Sequence, residues 1–193
     1  SQIRDRDDPK LVAMLANQLW HSDSSFKQPA AKYSLLMAQV VTEHGGETEF
    51  ADMRAAYDAL SQDTVAEIED LIAEHSAFHS RLQIDDAQYT EEDLALFPPV
   101  QWPMVRVHPG SKRKSLYIGV HAEHIIGRPV AEGRLLLAEL LEHATQREFV
   151  YRHKWRSGDM VIWDNRAVLH RGRRYDLSER RELRRSTVED IRH

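Results

Sequence analysis

Trp20-His21-Ser22-Asp23-Ser24-Ser25-Phe26 sets a histidine and an aspartate two residues apart. On an extended backbone, residues i and i+2 point to the same side, so His21 and Asp23 can converge on one point. Such a pair is two thirds of a 2-His-1-carboxylate triad, a site that leaves one face of Fe(II) open. Most isolated H-x-D tripeptides are solvated surface. The reading therefore turns on a third ligand and on what surrounds it.

The third candidate is His170, in Trp163-Asp164-Asn165-Arg166-Ala167-Val168-Leu169-His170-Arg171-Gly172-Arg173. Val168 and Leu169 place it at the end of a buried strand, and Gly172 permits a sharp exit. A lone histidine on an apolar element is more often a core residue than a ligand, so both readings stand at this point. Downstream, Arg181 and Arg185 lie four apart on a predicted last strand, on the same side as Leu183 and Thr187. A buried arginine needs an anionic partner, and an incoming carboxylate held by the guanidinium fork is the natural one. The alternative is that Arg-Arg-Glu-Leu-Arg-Arg is a solvated charge run. Thr48, just past Gly45-Gly46, can add a hydroxyl to the same carboxylate.

Composition bounds the rest. The chain has 193 residues, 41% hydrophobic and 30% charged, which is enough for one domain with a sizeable core. A net charge of −5 gives no global case for nucleic acid or an anionic membrane as partner. No apolar run approaches a membrane span, and no signal peptide opens the sequence. Cysteine is absent, which excludes disulfides, thiolate metal sites and a cysteine nucleophile and fits a reducing cytoplasm. Eleven histidines remain, so any metal site uses imidazole and carboxylate.

Along the chain, residues 1–10 read as a charged loop. Residues 32–42 read as a buried strand, Gly45-Gly46 as a turn, and residues 48–53 as the returning strand of a hairpin. Residues 53–60 form a helix. Asp63 caps a second helix whose apolar stripe is Val65, Ile68, Leu71 and Ile72. Residues 85–99 are an acidic surface excursion. Residues 102–108 and 115–120 are strands around a Gly-Ser-Lys-Arg-Lys turn. Residues 133–145 are a helix built on Leu135, Leu136, Leu140 and Leu141. Further strands follow at 149–155, 160–163, 168–170 and 182–191. Short strands with helices gathered in the insertions predict a mainly β fold, a sandwich or jelly roll with helical decoration, in one domain over residues 1–193.

Four phrases, H-S-D, G-G-E-T-E-F-A-D-M, W-D-N-R-A-V-L-H-R-G-R-R-Y-D and R-R-E-L-R-R, together resemble the taurine/2,4-dichlorophenoxyacetate dioxygenase family. The similarity runs from about Asn17 to Thr187, with the motifs in family order. His21 to His170 spans 149 positions, His21 to Thr48 27, His170 to Arg181 11 and His170 to Arg185 15. The resemblance implies a double-stranded β-helix (jelly roll) and an Fe(II)- and 2-oxoglutarate-dependent enzyme that consumes dioxygen. His21, Asp23 and His170 would then be the iron ligands, and Thr48 and Arg181 would hold the distal carboxylate of 2-oxoglutarate. Arg185 would sit nearer the metal, touching co-substrate, primary substrate or both. Trp163 would wall the co-substrate pocket, or be core. Asn17 and the backbone at Ser24 would line the substrate site. The resemblance also implies an N-terminal segment ahead of residue 1.

Within the family, N-Q-L-W-H-S-D-S-S-F, P-A-A-K-Y-S-L-L and E-H-A-T-Q-R-E-F-V-Y-R-H resemble the aryloxyalkanoate branch more than the taurine branch. That implies hydroxylation of a small carboxylic acid beside an ether oxygen, with collapse to a phenol and glyoxylate. His121 and His124 would approach the ether or carboxylate, with His108 in the same region, or all would belong to a polar loop. Phe26 would stack on an aryl ring, or be core. Other readings are a taurine or alkyl-sulfonate or sulfate dioxygenase, a cupin-like metal-binding protein, or a scaffold that has lost its iron. His75 and His79, four apart, have a spacing that can grip zinc, but no third ligand accompanies them, and they read as a solvated helix face. A homo-oligomer is compatible with all of these.

Overall fold

Along β1 (Ala31–Val40), Ser34 and Ala38 are buried while Tyr33 and Met37 are exposed, the alternation of a strand with one inner face. The structure is a computed structural model that describes residues 15–84 and 89–191. The predicted opening loop at residues 1–10 lies outside them. β1 pairs antiparallel with both β11 (Glu182–Glu189) and β9 (Met160–Asp164), giving a sheet of order β11-β1-β9.

A second sheet has the order β10-β2-β8, formed by β10 (Val168–Gly172), β2 (Thr48–Asp52) and β8 (Val150–His153). Here His170 pairs with Phe50, and Leu169 with Ala51. Leu169 and Ala51 pack into the main core, so the adjacent pair points to the opposite face, where Phe50 meets Trp163 and His170. The predicted hairpin is therefore not one: β1 and β2 belong to different sheets. The reason lies in the Gly-Gly turn. Gly45 and Gly46 both have positive φ, and Gly45 bridges to Tyr175 rather than closing β2 onto β1.

The third sheet, β4-β3-β7, joins β3 (Ile72–His75), β4 (Val100–Pro103) and β7 (Ala122–Ile125), and β5 (Val105–Val107) pairs with β6 (Lys114–Leu116). Here the sequence reading needs several corrections. The predicted second helix is α2 (Gln62–Ile68), capped by Ser61 rather than Asp63, and it stops before Leu71 and Ile72. Those residues keep helical spacing, but Leu71 O accepts from Met104 N and Ile72 O from Ile126 N, so the sheet takes their backbone groups. The expected strand at 102–108 is broken at Met104, which leaves one sheet for the β5–β6 pair. The expected strand at 115–120 ends at Leu116, and β7 was not anticipated.

α1 (Met53–Asp58) is capped by the Asp52 side chain. The helix expected at 133–145 runs as α5 (Val130–Ala144). It buries Leu136, Leu137 and Leu140, whereas Leu135 is 65% exposed, so the inner stripe is shifted by one position from the expected one. Short α3 (His79–Leu82) and α4 (Glu91–Leu96) occupy the excursion after β3. α4 has a Thr90–Asp93 capping box and buries none of its residues. Among the described residues the molecule has eleven strands and five α-helices, a mainly β protein decorated by helices. None of these helices is long and apolar enough to cross a membrane.

Candidate metal centre and active site

His21 and His170 are joined backbone to backbone. His21 N donates to His170 O at 3.0 Å and His170 N to His21 O at 2.8 Å, an isolated antiparallel bridge. This reciprocal pair brings the two Cα atoms to a fixed spacing. Their rings lie 4.2 Å apart between centroids. Asp23 completes the group: His21 Nε2 is 3.8 Å from Asp23 Oδ1, and His170 Nε2 is 3.7 Å from Asp23 Oδ2. All three residues are buried, with potential ligand atoms within 4.8 Å of one another, and no other such cluster occurs among the described residues.

The surroundings prepare these groups to bind a cation. His21 Nδ1 lies 2.7 Å from the Leu19 carbonyl oxygen, which can only accept, so the proton sits on Nδ1 and the Nε2 lone pair faces inward. Burial lowers the pKa of His21, against the pull of Asp23. Burial, helped by His21, holds His170 down to about 3, so both imidazoles are neutral donors. Burial alone would raise the Asp23 carboxyl, but His170, His21, Arg185 and a Ser34 hydrogen bond outweigh it and leave it lowered, hence ionised. Two neutral imidazoles and one carboxylate on one side of an open cavity fit a divalent metal of the Fe(II) type.

Behind Asp23 stands a set of polar contacts that the sequence reading did not single out. Ser34 Oγ donates to Asp23 Oδ2 at 2.6 Å, and Asn165 Nδ2 donates to Ser34 Oγ at 2.9 Å. Asn165 Oδ1 accepts from Asp23 N and from Trp163 Nε1, while Asn165 O accepts from Ser22 Oγ. Asn165 lies inside the W-D-N phrase quoted for the resemblance, so its signal was present. Ser34 sits in an apolar run and carried none.

The triad opens into a cavity of about 570 Å³. Asn17, Ser24, Thr48, His121, Trp163, Arg181 and Arg185 all line it, together with the triad. Trp163 is both buried and cavity-lining, so wall and core are one role. Thr48 Oγ1 accepts from Trp155 Nε1 at 3.0 Å, which leaves its own proton free to donate. Arg181, immediately before β11 rather than on it, ties one arm to Gly46 O at 2.7 Å and lies over the Tyr175 ring. Among the described residues it has no carboxylate partner, and burial lowers its pKa. Arg185 Nη1 is 3.1 Å from Asp23 Oδ1. His121 lies between His21 and Phe26, and burial holds it down to about 3.

His124 does not join them. It lies on β7, where its Nδ1 is 3.9 Å from Glu74 Oε1, and it is absent from the cavity wall. His121 lies in the turn ahead of β7 and reaches the cavity from there, whereas His124 is on the strand and is directed to Glu74. His108 is likewise bound away, 3.0 Å from Asp164 Oδ2. His75 is on strand β3, buried against Tyr117, and His79 opens α3, so the pair is no solvated helix face. Leu36, Phe78, Ser80, Arg81, Phe97 and Leu183 line the cavity without having been assigned a site role in the sequence.

Comparison with known proteins agrees with this geometry. The chain is 64% identical over 189 residues to the alpha-ketoglutarate-dependent 2,4-dichlorophenoxyacetate dioxygenase of Cupriavidus pinatubonensis, covering 98% of this chain and 66% of that protein. It is 38% identical over 193 residues to the (S)-phenoxypropionate/alpha-ketoglutarate-dioxygenase of Sphingobium herbicidovorans, covering 97% and 67%. The crystal structure of AAD-2 in complex with Mn(II) and N-oxalylglycine superposes with a TM-score of 0.95 at 54% identity, covering 98% of this chain and 69% of that one. The chain thus spans just under two thirds of the first of these curated relatives. The family described as taurine catabolism dioxygenase TauD, TfdA matches residues 2–187. With nearly its whole length matched and a His-Asp-His cluster converging on one cavity, the chain belongs to the TauD/TfdA dioxygenase family.

Proposed function

We propose that residues 1–193 are one catalytic domain of an Fe(II)- and 2-oxoglutarate-dependent dioxygenase that oxidises an aryloxyalkanoate. The observation that carries this reading is the meeting of His21, Asp23, His170, Thr48, Arg181 and Arg185 on one cavity, from the β11-β1-β9 and β10-β2-β8 sheets and the segments beside them. Two sheets bordering a shared metal-binding cavity support a double-stranded β-helix as the architecture. An iron held by His21, Asp23 and His170 would supply, with 2-oxoglutarate and dioxygen, the oxidation of a substrate C–H bond, with succinate and carbon dioxide as co-products.

The chain's own residues do the positioning. His21, Asp23 and His170 hold the metal, with the Leu19 carbonyl fixing the His21 tautomer and Ser34 and Asn165 fixing the Asp23 carboxylate. Thr48 donates its hydroxyl proton, and Arg181 its free arm, to the distal carboxylate of 2-oxoglutarate, which neutralises a cation that has no anionic neighbour among the described residues. Arg185 turns from Asp23 to the carboxylates of co-substrate and substrate once a divalent cation balances Asp23. Trp163, Leu36 and Leu183 keep water from the reacting end. Asn17, Ser24 and His121 face the primary substrate, and His121 is held neutral and so approaches an ether oxygen without adding a charge. Hydroxylation beside the ether oxygen gives a hemiacetal, whose collapse yields a phenol and glyoxylate.

The 64% identity to a 2,4-dichlorophenoxyacetate dioxygenase supports the aryloxy substrate over taurine or an alkyl sulfonate. The cysteine-free composition fits a reducing cytoplasm, and the net charge of −5 fits a small-molecule partner better than nucleic acid. The test is a substrate panel read by succinate formation with Fe(II) and 2-oxoglutarate. Phenol release from phenoxyacetates without sulfite release from taurine is expected. Sulfite release without phenol would transfer the chain to the other branch, and no 2-oxoglutarate-dependent turnover would remove the enzyme reading.

A further inference from the structure

Three arginines border the cavity, and they come from two walls. Arg181 and Arg185 belong to β11 and its approach, whereas Arg81 stands on α3, in the connection that follows β3. Arg185 is occupied by Asp23 at 3.1 Å, and Arg181 by Gly46 O and the Tyr175 ring. Arg81 uses its backbone N–H on Phe78 O at 2.9 Å, but its guanidinium has no hydrogen bond or ion pair among the described residues. It shares no such contact with the metal triad. Arg81 is exposed, so its guanidinium is hydrated at the rim of the cavity and, among the described residues, engaged by no protein group.

Its neighbours on that wall are aromatic. Phe78 is buried and packs edge-on to Phe97 with centroids 6.2 Å apart. Phe26, also on the wall, meets His121 at 4.8 Å. An apolar wall carrying one polar anchor is how ligand sites fix orientation. In an aryloxyacetate, the carbon to be oxidised lies between the carboxylate and the ether oxygen. The acid group therefore stays at the metal end with Arg185, and the ring extends away from it. Arg81, which lines the same cavity as Phe78 and Phe97 but shares no contact with the triad, is then placed to meet the ring end of the molecule.

We propose that Arg81 and the Phe78–Phe97 wall form a subsite for the substrate ring, in which Arg81 takes an anionic or strongly accepting group borne by that ring. The inference rests on reading the cavity as an aryloxyalkanoate site. It makes the enzyme selective for rings that carry a second acceptor far from the side chain, because the planar fork offers paired donors that a methyl group cannot use.

The experiment compares para-carboxyphenoxyacetate with para-methylphenoxyacetate in the full-length enzyme, wild type against Arg81→Met and Arg81→Lys. Phenol release and succinate are both followed. In Arg81→Met, the kcat/KM ratio of the carboxyl to the methyl substrate should fall about tenfold, the size of one charge-assisted contact. The loss should lie in KM, and Arg81→Lys should recover part of it. The para-methyl substrate, read in the same preparation, corrects for any loss of folded enzyme. An unchanged ratio overturns the subsite while phenol release in the wild type leaves the aryloxy reading standing. Failure of the wild type to release phenol from either substrate overturns both.

Discussion

Asp23 accepts from Ser34 Oγ at 2.6 Å and Arg185 Nη1 at 3.1 Å, and its backbone N–H is held by Asn165 Oδ1. With both oxygens already directed, the carboxylate is oriented before a cation arrives. Removing Ser34 should therefore act on metal affinity rather than on the fold. Ser34→Ala is expected to weaken Fe(II) or Mn(II) binding by about 10–100-fold, the usual effect of deleting a partner behind a ligand. Titration of the metal-free protein measures it, and an affinity equal to wild type would show that Ser34 merely fills space. In sequence Ser34 carries no signal of this role. A serine in Lys-Tyr-Ser-Leu-Leu-Met looks like a tolerated small residue until its strand neighbour is known.

Among the elements, the turn between β1 and β2 ties the fold to Arg181, the residue proposed to hold 2-oxoglutarate. Gly46 has φ +73°, and a Cβ there would lie 2.8 Å from Arg181 Nε. Gly46→Ala should cost about 1–2 kcal/mol for the left-handed backbone. It should also raise the KM for 2-oxoglutarate by displacing Arg181, whereas a KM that stays put while stability falls would separate the turn from the arginine. A second prediction concerns α5. Leu137 is 8% exposed and Leu135 65%, so Leu137→Ala should destabilise by about 2–5 kcal/mol. Leu135→Ala should stay within about 0.5 kcal/mol. Urea unfolding of the two variants decides this, and equal losses would contradict the helix face described.

For the whole molecule, burial also sets an acid limit. His75 is 1% exposed, and burial, reinforced by Arg106, holds its pKa down to about 3 from 6.5. The unfolded chain therefore binds a proton that the native state refuses between those values. This contribution to stability is complete above pH 6.5 and is lost as pH falls towards 3, at most about 1.4 kcal/mol per pH unit. His75→Leu should flatten the stability profile of the protein in that window, as followed by urea unfolding at several pH values. A profile that keeps the wild-type slope would place the acid sensitivity elsewhere. Asp164, lowered to about 2 despite burial by Arg166 and His108, acts in the same direction at lower pH.

The His21-Asp23-His170 cluster was legible in sequence because its chemistry is local. His21-x-Asp23 needs only an extended backbone to converge, and His170 sits on a short apolar strand next to a glycine exit. Helix and strand periods likewise placed β1, β9, β11 and α5 to within a few residues. Other features depend on long-range pairing, which no local period encodes. Leu71 and Ile72 keep helical spacing yet give their backbone groups to a sheet, and two glycines turn an apparent hairpin into a crossing between sheets. His121 faces the cavity while His124 does not, because the chain passes from a turn at His121 into β7, which carries His124 away towards Glu74. Sequence by itself determined which donors this protein owns. Only the tertiary structure decided which of them meet, since hydrogen bonds between residues 149 positions apart bring His21 and His170 together.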